Sequence, residues 1–429
     1  MSKTERLYDL STLWRYASEI FPGFDRNSID WDRAYLDFLP RVLEAGSEQE
    51  FHLLLAEFLN LLGDGHTDYR FPAFLLEETG YLPFRLVFLA DGWFIREIEA
   101  SKKPFAGTRI LRVNGLDFDE LLSTAFRYIY HVGNYSYPAR LCTILPFLLK
   151  PSDNEIETSA GVLRVDPCPE FPAEMVTAGL AGPGQQNGRP KIRTLSGNIL
   201  LVRMDDFQYA QAADVISGAL RASSPAGVIL DLRENIGGMT AYAARIAELF
   251  ISGEFHGCRK RTRTMQGIDL SSASQYAGMD EASIERLVRE GLCDHEEVNR
   301  CLQTAGKTYY HEYCDTFGAP GHTALYDGPV ILLTSRNTIS AAEDFTAMFR
   351  SSGRALLLGT PTHGSTGTPF LCRLRCGGHA RICSVGYRLL DGTEFIGRGI
   401  QPDILLEMTG TEYFQGRDTV LEEAVRRLK

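Results

Sequence analysis

One serine stands out among the residues of this sequence that could do chemistry. Ser340 lies in the stretch RNTISAAEDFTAMF, between an apolar run that ends at Thr334 and an amphipathic helical pattern. The backbone N–H groups at the start of a helix have no partners within the helix, so they can hold a negatively charged oxygen. A serine at this place is suited to be a nucleophile, although a lone serine before a helix is more commonly an N-cap.

Two further stretches supply the groups that a serine nucleophile needs. In DLRENIGGMT, which follows the apolar run AGVIL, the pair Gly237 and Gly238 allows unusual backbone dihedrals that expose N–H groups ahead of a helix. In GDGHT, His66 lies in a polar loop, and imidazole is the usual base for a serine hydroxyl near neutral pH. Singly these are a glycine turn and a surface histidine, but together with Ser340 they predict acyl-transfer chemistry.

The first part of the chain that must position these residues changes from helical to strand-rich. Residues 5–62 carry apolar side chains at helical spacing, and the pattern stops at Gly63. From about residue 82 to 113, short alternating runs indicate strands joined by hairpins. We therefore predict an N-terminal helical bundle at 1–75, ending in the GDGHT loop, and a small β domain at 76–150.

The second part of the chain has the rhythm of an α/β protein. Residues 151–195 are rich in Pro and Gly and are predicted to be a connector. Residues 196–429 alternate continuous apolar runs with helical patterns, which is typical of strands in a sheet that is covered on both faces. A charged, mostly helical insertion interrupts this domain at 269–313, and we expect it to act as a lid beside the site.

Composition excludes several classes of partner. The chain has 429 residues, with 44 Lys and Arg against 55 Asp and Glu, so its net charge of −11 argues against nucleic acid and against an anionic membrane surface. The N-terminal residues are too charged for a secretory leader, and no apolar run is long enough to cross a bilayer. Nine cysteines at irregular spacing indicate free thiols in a reducing compartment. These features predict a cytoplasmic protein with peptide-like or small ligands.

Two other clusters are weaker candidates for a site. The run RKRTRT at 259–264 is a possible anchor for a peptide carboxylate, but we prefer to interpret it as a solvated strand face. Five metal-ligating side chains crowd the insertion, at spacings that are not those of a common zinc site: Cys293, His295, Cys301, His311 and Cys314. No metal or other cofactor is therefore predicted.

Taken in order along the chain, the motifs resemble those of the serine peptidases that include the tricorn core protease and the C-terminal processing proteases. The resemblance rests on LLGDGHT, VILDLRENIGG, LLTSRNTISAAEDF, ALLLGTPTHGSTGTP and LDGTEFIGRGIQPDI. It implies a multidomain α/β protein in which a crotonase-like ββα catalytic domain is combined with a PDZ-like domain at 76–150. A PDZ-like domain would take a peptide as an added strand.

The resemblance also assigns roles to individual residues. The nucleophile of the family falls on Ser340, and its oxyanion donors fall on the backbone of Gly237, Gly238 and Ala341. One branch of the family uses a lysine base about one strand after the serine, but the matching segment PTHGSTG holds Ser365 and no lysine. The tricorn-like branch takes its base from the early loop, which implies His66.

The carboxylate that would orient His66 is left open between two residues. Glu343 lies one helical turn after Ser340 and carries over from the serine-containing helix of the family. The tricorn-like branch takes its acid from the segment where this chain has Ile396, and Glu394 faces the same side of a predicted strand. Both are therefore candidates.

The predicted function is that of a serine-type endopeptidase or oligopeptidase that acts on peptides or unfolded chains through an acyl-enzyme on Ser340. The main alternative is a peptide- or lipophile-binding protein that keeps the fold without turnover, and a third possibility is a scaffold that works through the PDZ-like region. A carboxylate that reaches His66 would favour the enzyme. The oligomeric state is left open.

Overall fold

A computed structural model describes residues 1–168, 188–263 and 267–429, which form two compact units. Unit 1 comprises Met1–Arg70, Arg259–Tyr313 and Gly367–Tyr387, and unit 2 comprises Phe71–Cys258, Cys314–Thr366 and Arg388–Lys429. Much of the predicted connector at 151–195, and Thr264 of the arginine run, lie outside the described residues. The division into three domains and a connector made from the sequence stays a prediction.

The regular elements are numbered along the chain. Helices α1 to α15 span Lys3–Ile20, Phe24–Asn27, Trp31–Glu44, Glu48–Asn60, Ala73–Thr79, Phe118–Ala125, Pro138–Leu148, Ala212–Ser223, Thr240–Ala247, Gly267–Tyr276, Glu281–Arg289, His295–Ala305, Ala341–Ser352, Gly410–Phe414 and Thr419–Leu428. Strands β1 to β18 span Asp68–Arg70, Phe84–Leu89, Gly92–Ile98, Ile110–Val113, Leu116–Asp117, Asn154–Thr158, Gly161–Val165, Lys191–Leu195, Ile199–Arg203, Gly227–Asp231, Phe255–Arg263, Tyr310–Phe317, Val330–Thr334, Leu356–Gly359, Pro369–Arg373, His379–Cys383, Gly386–Arg388 and Ile404–Leu405. A 3₁₀ helix covers Ala100–Phe105.

Unit 1 packs the N-terminal helices with a small antiparallel sheet. Asp30 and Ser47 directly precede α3 and α4, and their side chains accept hydrogen bonds from N–H groups of the first turn and so cap the helices. The buried ring of Trp31 stacks on Phe58 with 4.2 Å between ring centroids. The sheet has the order β1-β16-β15, and helices α10 to α12 of the insertion belong to this unit. Helix α11 buries none of its residues.

Unit 2 is built around a six-stranded sheet with the order β18-β14-β13-β10-β9-β8, parallel except for β8 at one edge. On one face, a buried cluster joins alternate strand residues to Val420 and Ala424 of α15. The intervening residues of β9, β10 and β13 are buried as well, so both faces are covered. The α/β rhythm predicted from the apolar runs is confirmed by this sheet.

The remainder of unit 2 is the strand-rich part that precedes the sheet. Strands β2 and β3 form a hairpin, and a second antiparallel sheet has the order β5-β4-β6-β7. Strands β6 and β7 lie at 154–165, within the segment that was predicted to be a connector. Helices α6 and α7 lie between β5 and β6 in the chain, and the loop between the two helices spans residues 126–137.

Three general features bear on function. No helix within the described ranges is long and apolar enough to pass through a membrane. All nine cysteines are described and none forms a disulfide. Across the same residues, no group of three or more His, Cys, Asp or Glu side chains is arranged to hold a metal ion.

A charge network fixes the end of strand β10. The guanidinium of Arg233 donates two hydrogen bonds of 2.7 to 2.9 Å to Asp231 and two of 2.8 Å to Asp418 at the start of α15. Asp231 is almost fully buried, so removing its partner leaves a charge without compensation. This network joins the loop after β10 to the last helix.

We expect Arg233→Met to destabilise the protein by about 3–5 kcal/mol, the usual cost of breaking a buried ion pair. The midpoint of urea unfolding measures this change. Arg164→Met is the matched control, because Arg164 pairs with Glu155 in a solvent-exposed position, and it should leave the midpoint unchanged. Equal midpoints for the two variants would contradict the role of the network.

Candidate active site

The backbone of Ser340 has a conformation that is rare for a residue with a side chain. Its φ is 61° and its ψ is −128°, at the junction between β13 and α13. A residue other than glycine in such a region carries strain of about 1–3 kcal/mol, which persists only where its surroundings hold it. The Ser340 side chain makes no capping hydrogen bond to α13. The structure therefore argues against the simple N-cap interpretation.

Hydrogen bonds from neighbouring loops hold Ser340 in place. Its N–H donates to the carbonyl oxygen of Ser365 at 2.9 Å, and the N–H of Ile339 donates to the carbonyl oxygen of Asn235 at 3.0 Å. Its own carbonyl oxygen accepts hydrogen bonds from the first turn of α13, which begins at Ala341. The loops after β10 and β14 thus meet at the residue that follows β13.

Gly237 lies directly against Ser340. Gly237 has a φ of 95° and Gly238 a φ of 135°, and a Cβ atom on Gly237 would stand 2.6 Å from the Cβ of Ser340. The N–H of Gly237 donates to Oδ1 of Asn235 at 2.9 Å. Within the described parts of the chain, the N–H groups of Gly238 and Ala341 have no acceptor. Two of the three predicted oxyanion donors are thus not engaged by another group of the described residues.

Glu343 is fully buried and its carboxylate is directed at the loop after β14. Its oxygens accept hydrogen bonds from the Thr362 hydroxyl (2.5 Å), the Gly364 N–H (2.8 Å) and the Ser365 N–H (2.6 Å). Burial raises the pKa of Glu343 to about 7, while these hydrogen bonds act in the opposite direction. Glu343 therefore fixes the loop whose carbonyl group, at Ser365, accepts the N–H of Ser340.

The second predicted carboxylate makes a different contact. Glu394 accepts a hydrogen bond of 3.0 Å from Nε of Arg388, and its side chain is a quarter exposed. Ile396, at the position where the related branch has its acid, is buried and apolar. The choice between Glu343 and Glu394 as the partner of His66 stays a prediction.

His66 belongs to unit 1, where its loop joins α4 to β1. The His66 N–H donates to Oδ1 of Asp64 at 2.8 Å, which is an Asx turn. The Thr67 hydroxyl accepts a hydrogen bond of 3.0 Å from the Cys383 N–H. Opposite the loop, a Cβ atom on Gly367 would lie only 3.3 Å from the Cβ of His66. The histidine is buried, and these contacts hold the backbone of its loop in place.

Two residues that support these groups were not singled out from the sequence. Asn235 holds both the Gly237 N–H and the Ile339 N–H, and Asp64 holds the His66 loop. Each of these side chains accepts a hydrogen bond from the backbone N–H two residues later. In the sequence, the signal for such a turn is an Asn or Asp two positions before the loop residue that it holds. Asn235 is fully buried, as expected for a supporting residue.

Two parts of the chain match known protein families. Residues 198–406 match peptidase family S41, and residues 2–60 match the tricorn protease C1 domain. The carboxy-terminal-processing protease of Bartonella bacilliformis is 30% identical over 99 residues, which are 23% of this chain and 23% of that protein, so the match covers less than a quarter of the relative. The resemblance predicted from the motifs is confirmed by these family matches.

Solved structures extend the likeness to nearly the whole chain. Mature CPAF has a TM-score of 0.71 at 16% identity, covering 99% of this chain and 98% of that chain. Mature CPAF complexed with lactacystin has a TM-score of 0.69 at 16% identity, covering 99% of both chains. At this identity the likeness establishes the fold alone, which is a mixed α/β multidomain fold.

Gly237→Ala is expected to slow the reaction of Ser340 with a fluorophosphonate probe by about 100-fold or more, because the added methyl group displaces the serine by a large fraction of an ångström. The labelling rate, with the labelled peptide identified by mass spectrometry, measures this. Gly218→Ala in helix α8 is the control, since its Cβ would meet open space. Equal labelling rates for both variants would contradict the close approach of Gly237.

Glu343→Gln is expected to flatten the dependence of stability on pH between 4.5 and about 7. Because the folded protein binds the proton of Glu343 more tightly than the unfolded chain does, Glu343 favours folding most below pH 4.5. This contribution to the free energy of unfolding, up to about 3 kcal/mol, is lost as the pH rises through 7. Urea unfolding across this pH range measures the slope. Glu254→Gln, an exposed glutamate, should keep the wild-type slope, and an unchanged slope in Glu343→Gln would contradict the assignment.

Proposed function

We propose that this chain, which matches peptidase family S41 over residues 198–406, is a serine-type peptidase that hydrolyses peptide bonds through an acyl-enzyme on Ser340. The observation that carries the proposal is the backbone of Ser340, held at positive φ against Gly237 and next to Ala341, while the N–H groups of Gly238 and Ala341 have no acceptor among the described residues. An attacking oxygen and two backbone N–H donors are the groups that acyl transfer needs around one carbonyl group.

In the proposed mechanism, His66 takes the proton of the Ser340 hydroxyl as its oxygen attacks the carbonyl carbon of the substrate. The negative charge that develops on the carbonyl oxygen is held by the N–H groups of Gly238 and Ala341, each typically worth about 3 kcal/mol. His66 then gives its proton to the leaving amine, and an ester on Ser340 remains. Water that has lost a proton to His66 hydrolyses this ester.

The choice of base rests on the resemblance to the tricorn-like branch and on the composition of one segment. The loop after β14 contains Ser365 where another branch has a lysine, and no lysine is present from Pro361 to Gly367. The match of residues 2–60 to the tricorn protease C1 domain supports the same branch. His66 lies a few residues after this matched region, in the GDGHT loop.

The two predicted carboxylates take different roles in this proposal. Both oxygens of Glu343 accept backbone N–H groups, so Glu343 acts as a positioning residue for the loop at 362–365. Glu394 contacts Arg388 and its side chain is a quarter exposed, so its carboxylate can exchange partners. We therefore favour Glu394 as the group that orients the imidazole of His66.

Several finer assignments belong to the same proposal. They are the crotonase-like form of the catalytic domain, the PDZ-like character of 76–150, the N-terminal helical bundle, and a lid formed by the insertion at 269–313. The proposed substrates are peptides or unfolded chains, without a cofactor, and the predicted cytoplasmic location stays a prediction. The hairpin of β2 and β3 and the second antiparallel sheet support a separate β-rich region.

Digestion of a mixed peptide library tests the proposal directly. We expect wild-type protein to cleave peptides at a rate that rises with pH through the range of a histidine, near 6.5. Ser340→Ala and His66→Ala should each lower the rate by about 10⁴-fold, since the two groups act as one unit. Mass spectrometry of the products gives the rates and the cleavage sites.

His256→Ala, which alters an exposed histidine, serves as the control and should cleave normally. Full activity in His66→Ala together with loss in Ser340→Ala would overturn the assignment of the base. If wild type and Ser340→Ala bound the same peptides and neither cleaved them, the protein would be a peptide-binding protein that keeps the fold.

A further inference from the structure

Two buried tyrosines from the loop between α6 and α7 reach the loops on either side of Ser340. The Tyr130 hydroxyl donates to the carbonyl oxygen of Gly364 at 2.7 Å, and the Tyr135 hydroxyl donates to Oδ1 of Asn337. Each tyrosine is only 3% exposed, so its hydroxyl has to be paired within the protein. Both contacts lie within unit 2, and both connect the β-rich region to the loops of the parallel sheet.

The contact of Tyr130 controls the orientation of one peptide group. The carbonyl group of Gly364 and the N–H of Ser365 belong to the same rigid plane. The carbonyl oxygen accepts from Tyr130 and from the Gly397 N–H (2.9 Å), while the N–H donates to Glu343. A plane held at both ends cannot rotate without breaking a buried hydrogen bond.

That plane determines where the next carbonyl group points. The carbonyl oxygen of Ser365 follows the plane directly and accepts the N–H of Ser340 at 2.9 Å. This hydrogen bond constrains the backbone of Ser340 at its φ of 61°. The Tyr130 hydroxyl is thus connected to Ser340 through two hydrogen bonds and the intervening backbone of Ser365.

The contact of Tyr135 acts on the segment that precedes the nucleophile. Asn337 lies three residues before Ser340, and its N–H donates to the Ser335 hydroxyl at 3.0 Å. His363 joins this segment to the loop after β14, because its backbone N–H donates to Thr338 (3.0 Å) and its Nδ1 donates to the carbonyl oxygen of Arg336 (3.1 Å). The edge-on rings of Tyr130 and Tyr135 pack against the His363 ring, 5.5 and 5.8 Å away.

We infer that Tyr130 and Tyr135 are positioning residues that hold Ser340 in its reactive backbone conformation. The inference rests on the proposed function of Ser340 as a nucleophile, and it adds that a loop outside the parallel sheet sets the reactivity of that nucleophile. Neither tyrosine is expected to contact the substrate. Loss of either hydroxyl should therefore slow the chemical step and leave substrate affinity in place.

The variants Tyr130→Phe and Tyr135→Phe remove only the hydroxyl groups and keep the rings packed. We expect each to lower kcat and the rate of fluorophosphonate labelling of Ser340 by about tenfold, the usual effect of one buried hydrogen bond. KM should stay within about twofold, as is expected when an interaction matters in the transition state and not for binding. Tyr128→Phe is the control, because the Tyr128 ring contacts Arg127 and should leave all three quantities unchanged.

Three outcomes would overturn the inference. They are wild-type rates in both variants, a rise in KM with kcat unchanged, and a loss of activity that follows only the fraction of unfolded protein in a thermal melt. A crystal structure of Tyr130→Phe gives a readout that needs no activity, since Ser340 is expected to leave positive φ, and an unchanged φ would count against the inference. If wild type cleaved no peptide, the labelling rates and this structure would still test the two tyrosines separately from the proposed function.

Discussion

The candidate site depends on the hydrogen bonds that the buried carboxylate of Glu343 accepts. A charged or polar group of this kind is stable in a protein interior only when its hydrogen bonds are satisfied, and Glu343 meets this condition with one hydroxyl and two backbone N–H groups. Because Glu343 is in α13 and its donors follow β14, the carboxylate joins the helix that starts at the serine to the neighbouring loop. That connection holds Ser340 in its strained backbone conformation.

The parallel sheet explains why so many loops can meet at one residue. Strands β10, β13 and β14 are adjacent and run in the same direction, so their carboxyl ends lie at one edge. Each strand leads into a loop that contributes something different: the glycine pair, the serine, and the carbonyl group that holds the serine. The candidate site therefore depends on the order of the strands in the sheet, because it needs all three loops side by side.

Much of this could be predicted from the sequence, and the exceptions have physical reasons. Continuous apolar runs predicted the buried strands, and the serine, the glycine pair and Ala341 were placed together through family motifs. Helical spacing located Glu343 one turn from the serine, but spacing does not reveal which loop a carboxylate faces, and here it faces the backbone at 364–365.

The remaining gaps come from contacts between distant parts of the chain. Tyr130 lies 234 residues from Gly364, and nothing near Tyr130 in the sequence signals the contact. Unit 1 was not anticipated as a unit of three separate segments, because the pairing of β1 with β16 joins residues 313 positions apart. Local patterns carry no information about such pairings.

The three-segment construction of unit 1 also sets an order of events during protein synthesis. Strand β1, directly after His66, gains its partner β16 only when residues 379–381 have been made, and Thr67 meets Cys383 later still. The segment that contains Ser340 precedes β16 in the chain, so it emerges from the ribosome first. In a nascent chain, the loop that contains His66 is thus secured only after the segment that contains Ser340 has emerged.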